Sequence, residues 1–431
     1  MRIMVVGAYG LIATYVVSRL LSDGHKLIGV GRDISAARRR VPEVHWVQGD
    51  LGSTSVEEWS LLLRQVDAVV NCAGALQDSP RDDLCAVHVD GVRRLADACR
   101  ISGVSRFVHL SAVGVAEGRG TEFMRTKLAA EAILRGGCLD WIILRPGFVL
   151  APTAYGGSGL LRGLAALPFF VPSVYSTSIV QVVSAEDVAA AVAYALQAEA
   201  PIRISVDLVH ADLLSLDQLI KELRRWLGLP LARPVHVPAG LTKVAVKVND
   251  TLAYLGWGSP MRTTALEQLR VGIQGDASAA QRELGLKLRS LREMLNFWPS
   301  GVQERWFARS YFLKPALLAT LFLFWLLSGL ISLTVSLPQT ASVLTAAGLA
   351  PLIAQGAVVC ASLVDIVLAA AVCFRRTAAR ALQGMLLVSP VYLIAGTLLR
   401  PDLWLDPLGP FLKVIPAMLL AMTALALLDE R

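Results

Sequence analysis

From residue 315 to residue 336 the chain runs PALLATLFLFWLLSGLISLTVS, 22 residues without a charge. About 20 apolar residues cross the hydrocarbon core of a bilayer as a helix, so this stretch excludes a wholly soluble fold. Three more such runs follow: 352–374, broken only by Asp365, then 381–399 and 414–428. The third contains Pro390 and the fourth Pro416, which membrane helices tolerate because neighbouring groups satisfy the freed backbone. Four spans are expected.

Charge divides the chain at the same place. Of 41 Lys+Arg and 34 Asp+Glu, residues 315–431 hold only Arg375, Arg376, Arg380, Arg400, Lys413 and Arg431 against Asp365, Asp402, Asp406, Asp429 and Glu430. The 17% charged fraction thus averages an ordinary soluble front and a nearly uncharged tail. A net charge of +7 over 431 residues is mild and does not direct the chain to nucleic acid.

Loop charges predict orientation. Arg305, Arg309 and Lys314 precede the first span, and the 337–351 loop has no Lys or Arg. Arg375, Arg376 and Arg380 lie between the second and third, while Arg400 and Lys413 are balanced by Asp402 and Asp406 before the fourth. The bias predicts a multi-pass inner-membrane protein with its N-terminal domain and C-terminus in the cytoplasm. Gly7 and Gly10 interrupt the first apolar run and no small-residue cleavage site follows, which argues against a signal peptide. Cys72, Cys85, Cys99, Cys138, Cys360 and Cys373 form no CxxC pair and no metal-spaced cluster, so they are expected to be buried thiols, with no metal site.

The front alternates short apolar runs with helical patterns. Strands are expected at 2–6, 26–30, 44–47, 68–71, 106–110 and 141–144, with helices between them that include 91–102 and 123–134. Such alternation implies an α/β fold with a doubly wound parallel sheet, a Rossmann fold. These sheets bind ligands at the carboxyl ends of their strands. The turn Gly7-Ala8-Tyr9-Gly10-Leu11-Ile12-Ala13 joins the first strand to the first helix. Gly7 permits the turn, Gly10 lets backbone approach a pyrophosphate, and Ala13 lets helix and strand pack closely. The helix start then offers free N–H groups and a positive dipole end to phosphates. Gly31-Arg32-Asp33 follows the second strand. Arg32 suits a 2′-phosphate and favours NADP(H), whereas Asp33 suits a ribose 2′-hydroxyl and leaves NAD(H) open. Arg38, Arg39 and Arg40 read as a solvated helix face.

Over roughly residues 1–300 the chain resembles the extended and atypical short-chain dehydrogenase/reductases. The resemblance rests on GAYGLIA, Gly49-Asp50-Leu51, Asn71-Cys72-Ala73-Gly74, FVHLSA at 107–112, Lys127 with Ala130-Glu131, and LRPG at 144–147. It implies that Asp50 and Leu51 contact adenine. Ala73, Gly74 and Ala75 would lie beside the adenine ribose, and Pro146 near nicotinamide. The family's Tyr-x-x-x-Lys pair is half present: Lys127 matches, and Phe123 stands where the tyrosine belongs. A phenyl ring has no proton to exchange. The family's serine falls on Ala112, with Ser111 one residue early. Lys127, which the resemblance implies also holds the nicotinamide ribose, and Ser111 are the remaining catalytic candidates.

Residues 1–200 are expected to form the nucleotide-binding domain and 201–301 a small α+β substrate subdomain. Asp187 in VSAEDVAAAVAYAL is expected to cap a helix. The aromatic and basic stretch 302–314 suits an interfacial helix. Residues 315–431 resemble DoxX-like four-helix membrane proteins, by span count, Phe374-Arg375-Arg376 and Asp406-Pro407-Leu408-Gly409-Pro410. Asp365 is the one ionisable group deep in a span, a functional candidate or a helix–helix tie. Two functions fit these readings. One is a membrane-anchored NAD(P)(H)-dependent oxidoreductase for a hydrophobic or quinone-like substrate. The other is a non-catalytic NAD(P)H sensor or assembly module of a membrane complex.

Overall fold

The computed structural model describes residues 1–80, 82–115, 120–174, 178–407 and 409–428. Leu408 of the DPLGP motif and the charged Asp429, Glu430 and Arg431 lie outside the described residues. The chain forms two compact units: Met1–Asp250 with Ser259–Ala308, and Thr251–Gly258 with Arg309–Arg431.

The first unit is built on seven parallel strands. They are β1 (Arg2–Val6), β2 (Lys26–Gly31), β3 (His45–Gln48), β4 (Ala68–Asn71), β5 (Arg106–Leu110), β6 (Asp140–Pro146) and β7 (Ile204–Leu208). Their spatial order is β7-β6-β5-β4-β1-β2-β3. The order reverses between β1 and β4, where connections leave to opposite sides and open a crevice. Nearly every residue of the inner strands β1, β4, β5 and β6 is buried, as expected for apolar runs covered on both faces, while the edge strands β3 and β7 are only partly covered. Val5, Val70, Val108 and Leu144 pack on one face with helix α1 (Leu11–Ser22), and Met4, Val69, Phe107 and Ile143 on the other.

The edge strand β7 lies past residue 200 and pairs with β6 in register Ile204↔Ile142. One expectation about a helix end is corrected. Ser184, not Asp187, caps Ala185–Ala195: its Oγ accepts the Asp187 N–H at 2.9 Å. A serine hydroxyl one turn back reaches this N–H, which leaves the Asp187 carboxylate to pair with Arg289 at 2.9 Å.

Among the described residues of the second unit three helices are long and apolar enough to cross a membrane: Leu313–Thr334, Pro351–Val372 and Arg375–Leu399. The fourth expected span forms only 13 helical residues, Val414–Ala426. At 1.5 Å per residue that is about 20 Å, short of the roughly 30 Å hydrocarbon core. Hydropathy counts apolar residues, but this helix begins only at Val414 and closes at Leu427. An unexpected helix, Leu337–Ala346, lies between the first two spans. Gly329 permits close helix packing, since a Cβ there would sit 2.7 Å from the Ser362 carbonyl oxygen. Asp365 is buried and ties helices together: its carboxylate accepts from Tyr392 Oη at 2.9 Å and Ser328 Oγ at 3.2 Å. From the Thr251–Gly258 segment, Trp257 Nε1 donates to the Cys373 carbonyl at 2.6 Å.

Candidate functional site

The expected nucleotide contacts and the catalytic candidate Ser111 come from six separate strand ends. The Gly7–Ile12 turn follows β1, Arg32 follows β2, Asp50 and Leu51 follow β3, and Ala73–Ala75 follow β4. Ser111 follows β5 and Pro146 ends β6. In a parallel sheet all these ends lie along one edge, and the order reversal sets the β1 turn beside the Ala73 segment.

Gly7 is required twice over. Its φ is +74°, a region side chains resist, and a Cβ there would lie 2.8 Å from Ala73 Cα. The turn is held by Gly7 and Ala8 N–H groups donating to the Val30 carbonyl, at 2.9 and 3.1 Å. Gly10 is the N-cap of α1 and carries no side-chain cap. The first N–H groups of α1 therefore face the crevice with no intrahelical acceptor. Phosphate oxygens fit that cradle.

At the β2 end, Tyr9 lies across Gly31, whose Cβ would collide with the Tyr9 ring. Arg32 Nη1 pairs with Asp82 Oδ1 at 2.8 Å. Asp33 is turned to local work: its Oδ1 accepts from Ser35 N at 3.1 Å and Ser35 Oγ at 2.8 Å. Those two bonds hold the Asp33 carboxyl below its usual range. The Leu51–Thr54 loop is clamped by Arg94, which donates to the Gly52 and Thr54 carbonyls at 2.7 and 3.0 Å.

Lys127 sits on helix α2 (Glu122–Arg135), 4% exposed. Its Nζ donates to the Leu110 carbonyl at 2.9 Å and would lie 3.1 Å from a Cβ on Gly74. Burial lowers its pKa to about 8, against the opposing pull of Glu131 and Cys72. One turn earlier Phe123 faces His88 edge-on, with ring centroids 5.7 Å apart. His88 Nε2 accepts the Ala75 N–H at 3.2 Å, so Nδ1 carries the proton and donates to Thr126 Oγ1 at 2.9 Å. Burial, then the Lys127 charge, lower the His88 pKa to about 2. A π-helical turn at Ala86–Asp90 carries His88 into place. Gly91 makes room beside it, since a Cβ there would sit 2.4 Å from the Leu51 carbonyl oxygen.

Ser111 is committed elsewhere. Its hydroxyl donates to Glu131 Oε1 at 2.6 Å. Its single proton is thereby used, and none remains for a substrate carbonyl. Glu131 is fully buried and also takes a bidentate pair from Arg145, at 2.9 and 2.6 Å, and a bond from Arg135 at 2.8 Å. On the β4 end, Asn71 Oδ1 accepts the Ala73 N–H at 3.1 Å while Nδ2 donates to His109 Nδ1 at 3.2 Å. Sequence reasoning missed His88, His109, Arg94 and the Glu131–Arg145 pair as parts of this site. For His88 and His109 a signal existed: each is a lone polar residue in an apolar run, CAVHV and FVHL.

Residues 7–199 match the NAD(P)H-binding family, and residues 322–422 match the DoxX-like family. The chain joins an NAD(P)-binding Rossmann domain to a DoxX-like domain. A solved structure of the Bordetella bronchiseptica enzyme WbmG with NAD superposes with a TM-score of 0.53 at 17% identity, covering 69% of this chain and 92% of the other. UDP-glucose 4-epimerase of Thermotoga maritima, solved with UDP-glucose, gives 0.54 at 18%, covering 69% and 97%. Among curated relatives, the NADH-ubiquinone oxidoreductase 40 kDa subunit of Neurospora crassa is 29% identical over 150 residues, 33% of this chain and 39% of the relative. Sterol demethylase protein B of Methylococcus capsulatus is 28% identical over 329 residues, 68% of this chain and 95% of the relative. The chain thus spans well under half of the first relative and nearly all of the second.

Proposed function

We propose that this protein is a membrane-anchored nicotinamide-dependent oxidoreductase acting on a hydrophobic or quinone-like substrate at the membrane face. The observation that carries the reading is the uncapped, glycine-built start of α1 at the sheet's switch point, in a chain that also has three helices of membrane-crossing length. A relative named for sterol demethylation, aligned over 95% of its length, supports a hydrophobic substrate. In this reading the α1 turn holds the pyrophosphate, Asp50 and Leu51 the adenine, and Ala73–Ala75 the ribose. Lys127 and Pro146 flank the nicotinamide. Arg32 favours NADP(H), since Asp33 is engaged by Ser35. Loop charges favour a cytoplasmic N-terminal domain and C-terminus at the inner membrane.

When bound, the nicotinamide supplies a hydride. The protein's part is to bind and orient, because Phe123 has no proton and the Ser111 proton is held by Glu131. The acceptor's proton would come from water or from the substrate itself. The test is oxidation of NADH and NADPH by full-length protein in lipid nanodiscs, with a panel of quinones and carbonyl compounds. Absence of turnover with every acceptor would defeat the catalytic reading.

The same two residues favour a second reading, a nucleotide-binding sensor or assembly module. The Neurospora relative, named as a subunit of a respiratory oxidoreductase, supports it. Tight NAD(P)H binding without turnover, together with reductase activity gained by Phe123→Tyr, would select this reading.

A further inference from the structure

The first unit carries an apolar surface that its own core does not cover. The part of helix α3 (Ala239–Tyr254) that belongs to the first unit buries Thr242 and Val246. On its other side Leu241, Val244 and Val248 are 64%, 61% and 52% exposed. At about 100° per residue these three share one arc. Lys243 and Lys247, both exposed, fall beside it. Two residues before the helix, the strand Arg233–His236 is exposed throughout and pairs with Phe170–Ser173 in register Arg233↔Phe170. Phe169 is 85% exposed and Leu231 67%. Large apolar side chains left exposed in this number on neighbouring segments mark an interaction site.

Charge selects the occupant. Residues 231–249 contain Arg233, Lys243 and Lys247 and no Asp or Glu. The adjoining carboxylates are engaged within the protein, Asp250 by Arg262 and Thr263 and Asp217 by Ser173, so apolar side chains bordered by cations match an anionic lipid surface: the chains enter the acyl boundary and the cations meet phosphates. We propose that residues 231–249, with Phe169 and Phe170, form a monotopic docking surface that seats the nucleotide-binding unit on an anionic bilayer. This rests on the reading of the chain as a membrane protein.

The test uses full-length protein in nanodiscs of phosphatidylcholine and phosphatidylglycerol doped with a diazirine phospholipid, followed by peptide mapping of the photolabel. Label is expected on peptides of Leu313–Thr334 and on 231–249. A Leu241→Asp/Val244→Asp/Val248→Asp variant should lose at least fivefold of the 231–249 label while the span label and NAD(P)H affinity stay unchanged. Omitting phosphatidylglycerol should lower the 231–249 label severalfold and spare the span label. Labelled spans with an unlabelled 231–249 would overturn the proposal and leave the membrane reading intact. Cross-links from 231–249 to a second copy in place of lipid would overturn it in favour of a dimer interface. Unlabelled spans would overturn both the proposal and the reading on which it rests.

Discussion

Arg32 provides the sharpest test of the cofactor reading, because it already has a partner. Its guanidinium is 2.8 Å from the Asp82 carboxylate, and its side chain is 45% exposed. A 2′-phosphate bound there would compete with Asp82 for the same donor. A charge-assisted hydrogen bond contributes about 1.5–3 kcal/mol, and half-exposure argues for the lower end. Arg32→Ala should therefore weaken NADPH binding by roughly 10- to 30-fold. NADH, which lacks the phosphate, should change by less than about threefold. Exposed ion pairs contribute only about 0.2–1 kcal/mol, so Asp82→Ala should tighten NADPH by roughly 1.5- to 5-fold and leave NADH unchanged. In the Arg32→Ala background, Asp82→Ala should do nothing, since the coupling passes through one guanidinium. Calorimetric titration of full-length protein in nanodiscs with both nucleotides measures all four corners of this cycle. Equal effects of Arg32→Ala on NADPH and NADH would refute the assignment of Arg32 to the phosphate.

Gly7→Ala should cost about 1–3 kcal/mol of backbone strain and displace Ala73, given φ of +74° and the 2.8 Å approach; NAD(P)H affinity should fall at least about tenfold by fluorescence titration. Glu131→Ala leaves the Arg145 guanidinium buried with only Asp207, 3.6 Å away, and removing one partner of a buried pair costs about 3–5 kcal/mol. Its melting temperature should drop well below that of Glu131→Gln, which keeps an acceptor for Ser111 and Arg145. His88 is held neutral with a pKa of about 2, against about 6.5 unfolded. The unfolded chain thus takes up a proton below about pH 6.5 that the folded chain refuses, so stability falls as pH drops from there, by up to about 1.4 kcal/mol per unit. His88→Gln should flatten the fall of melting temperature between pH 7 and 5. His109, also held well below its usual range by burial, should keep part of the slope; an unchanged slope would show that His88 is not desolvated.

Much of the fold is legible in the chain because its signals are local. The strands β1, β2 and β4 are runs of apolar residues, and GAYGLIA signals its turn through glycine spacing, although the room Gly7 leaves for Ala73 shows only in the fold. The long spans are legible for the same reason: bilayer length and absence of charge are properties of consecutive residues. The short last helix departs from the hydropathy run because a run counts apolar residues, while helix length depends on where the turns at each end fall.

The site divides along the same line. Residues 7–12 and the Phe123–Lys127 spacing declare themselves in one stretch, and so does the missing tyrosine. The role of Ser111 could not be read there. It depends on Glu131, 20 residues away on α2, lying under the end of β5 together with Arg145 from β6. The pairing of Arg32 with Asp82, 50 residues apart, likewise depends on β2 and β4 ending on the same edge of the sheet. Apolar periodicity, glycine placement and charge-free length settle which elements form, since each acts through neighbours along the chain. Which carboxylate meets which cation, and which hydroxyl keeps a proton to give, is settled only when the sheet order brings distant strand ends together and burial limits each polar group to the partners within reach.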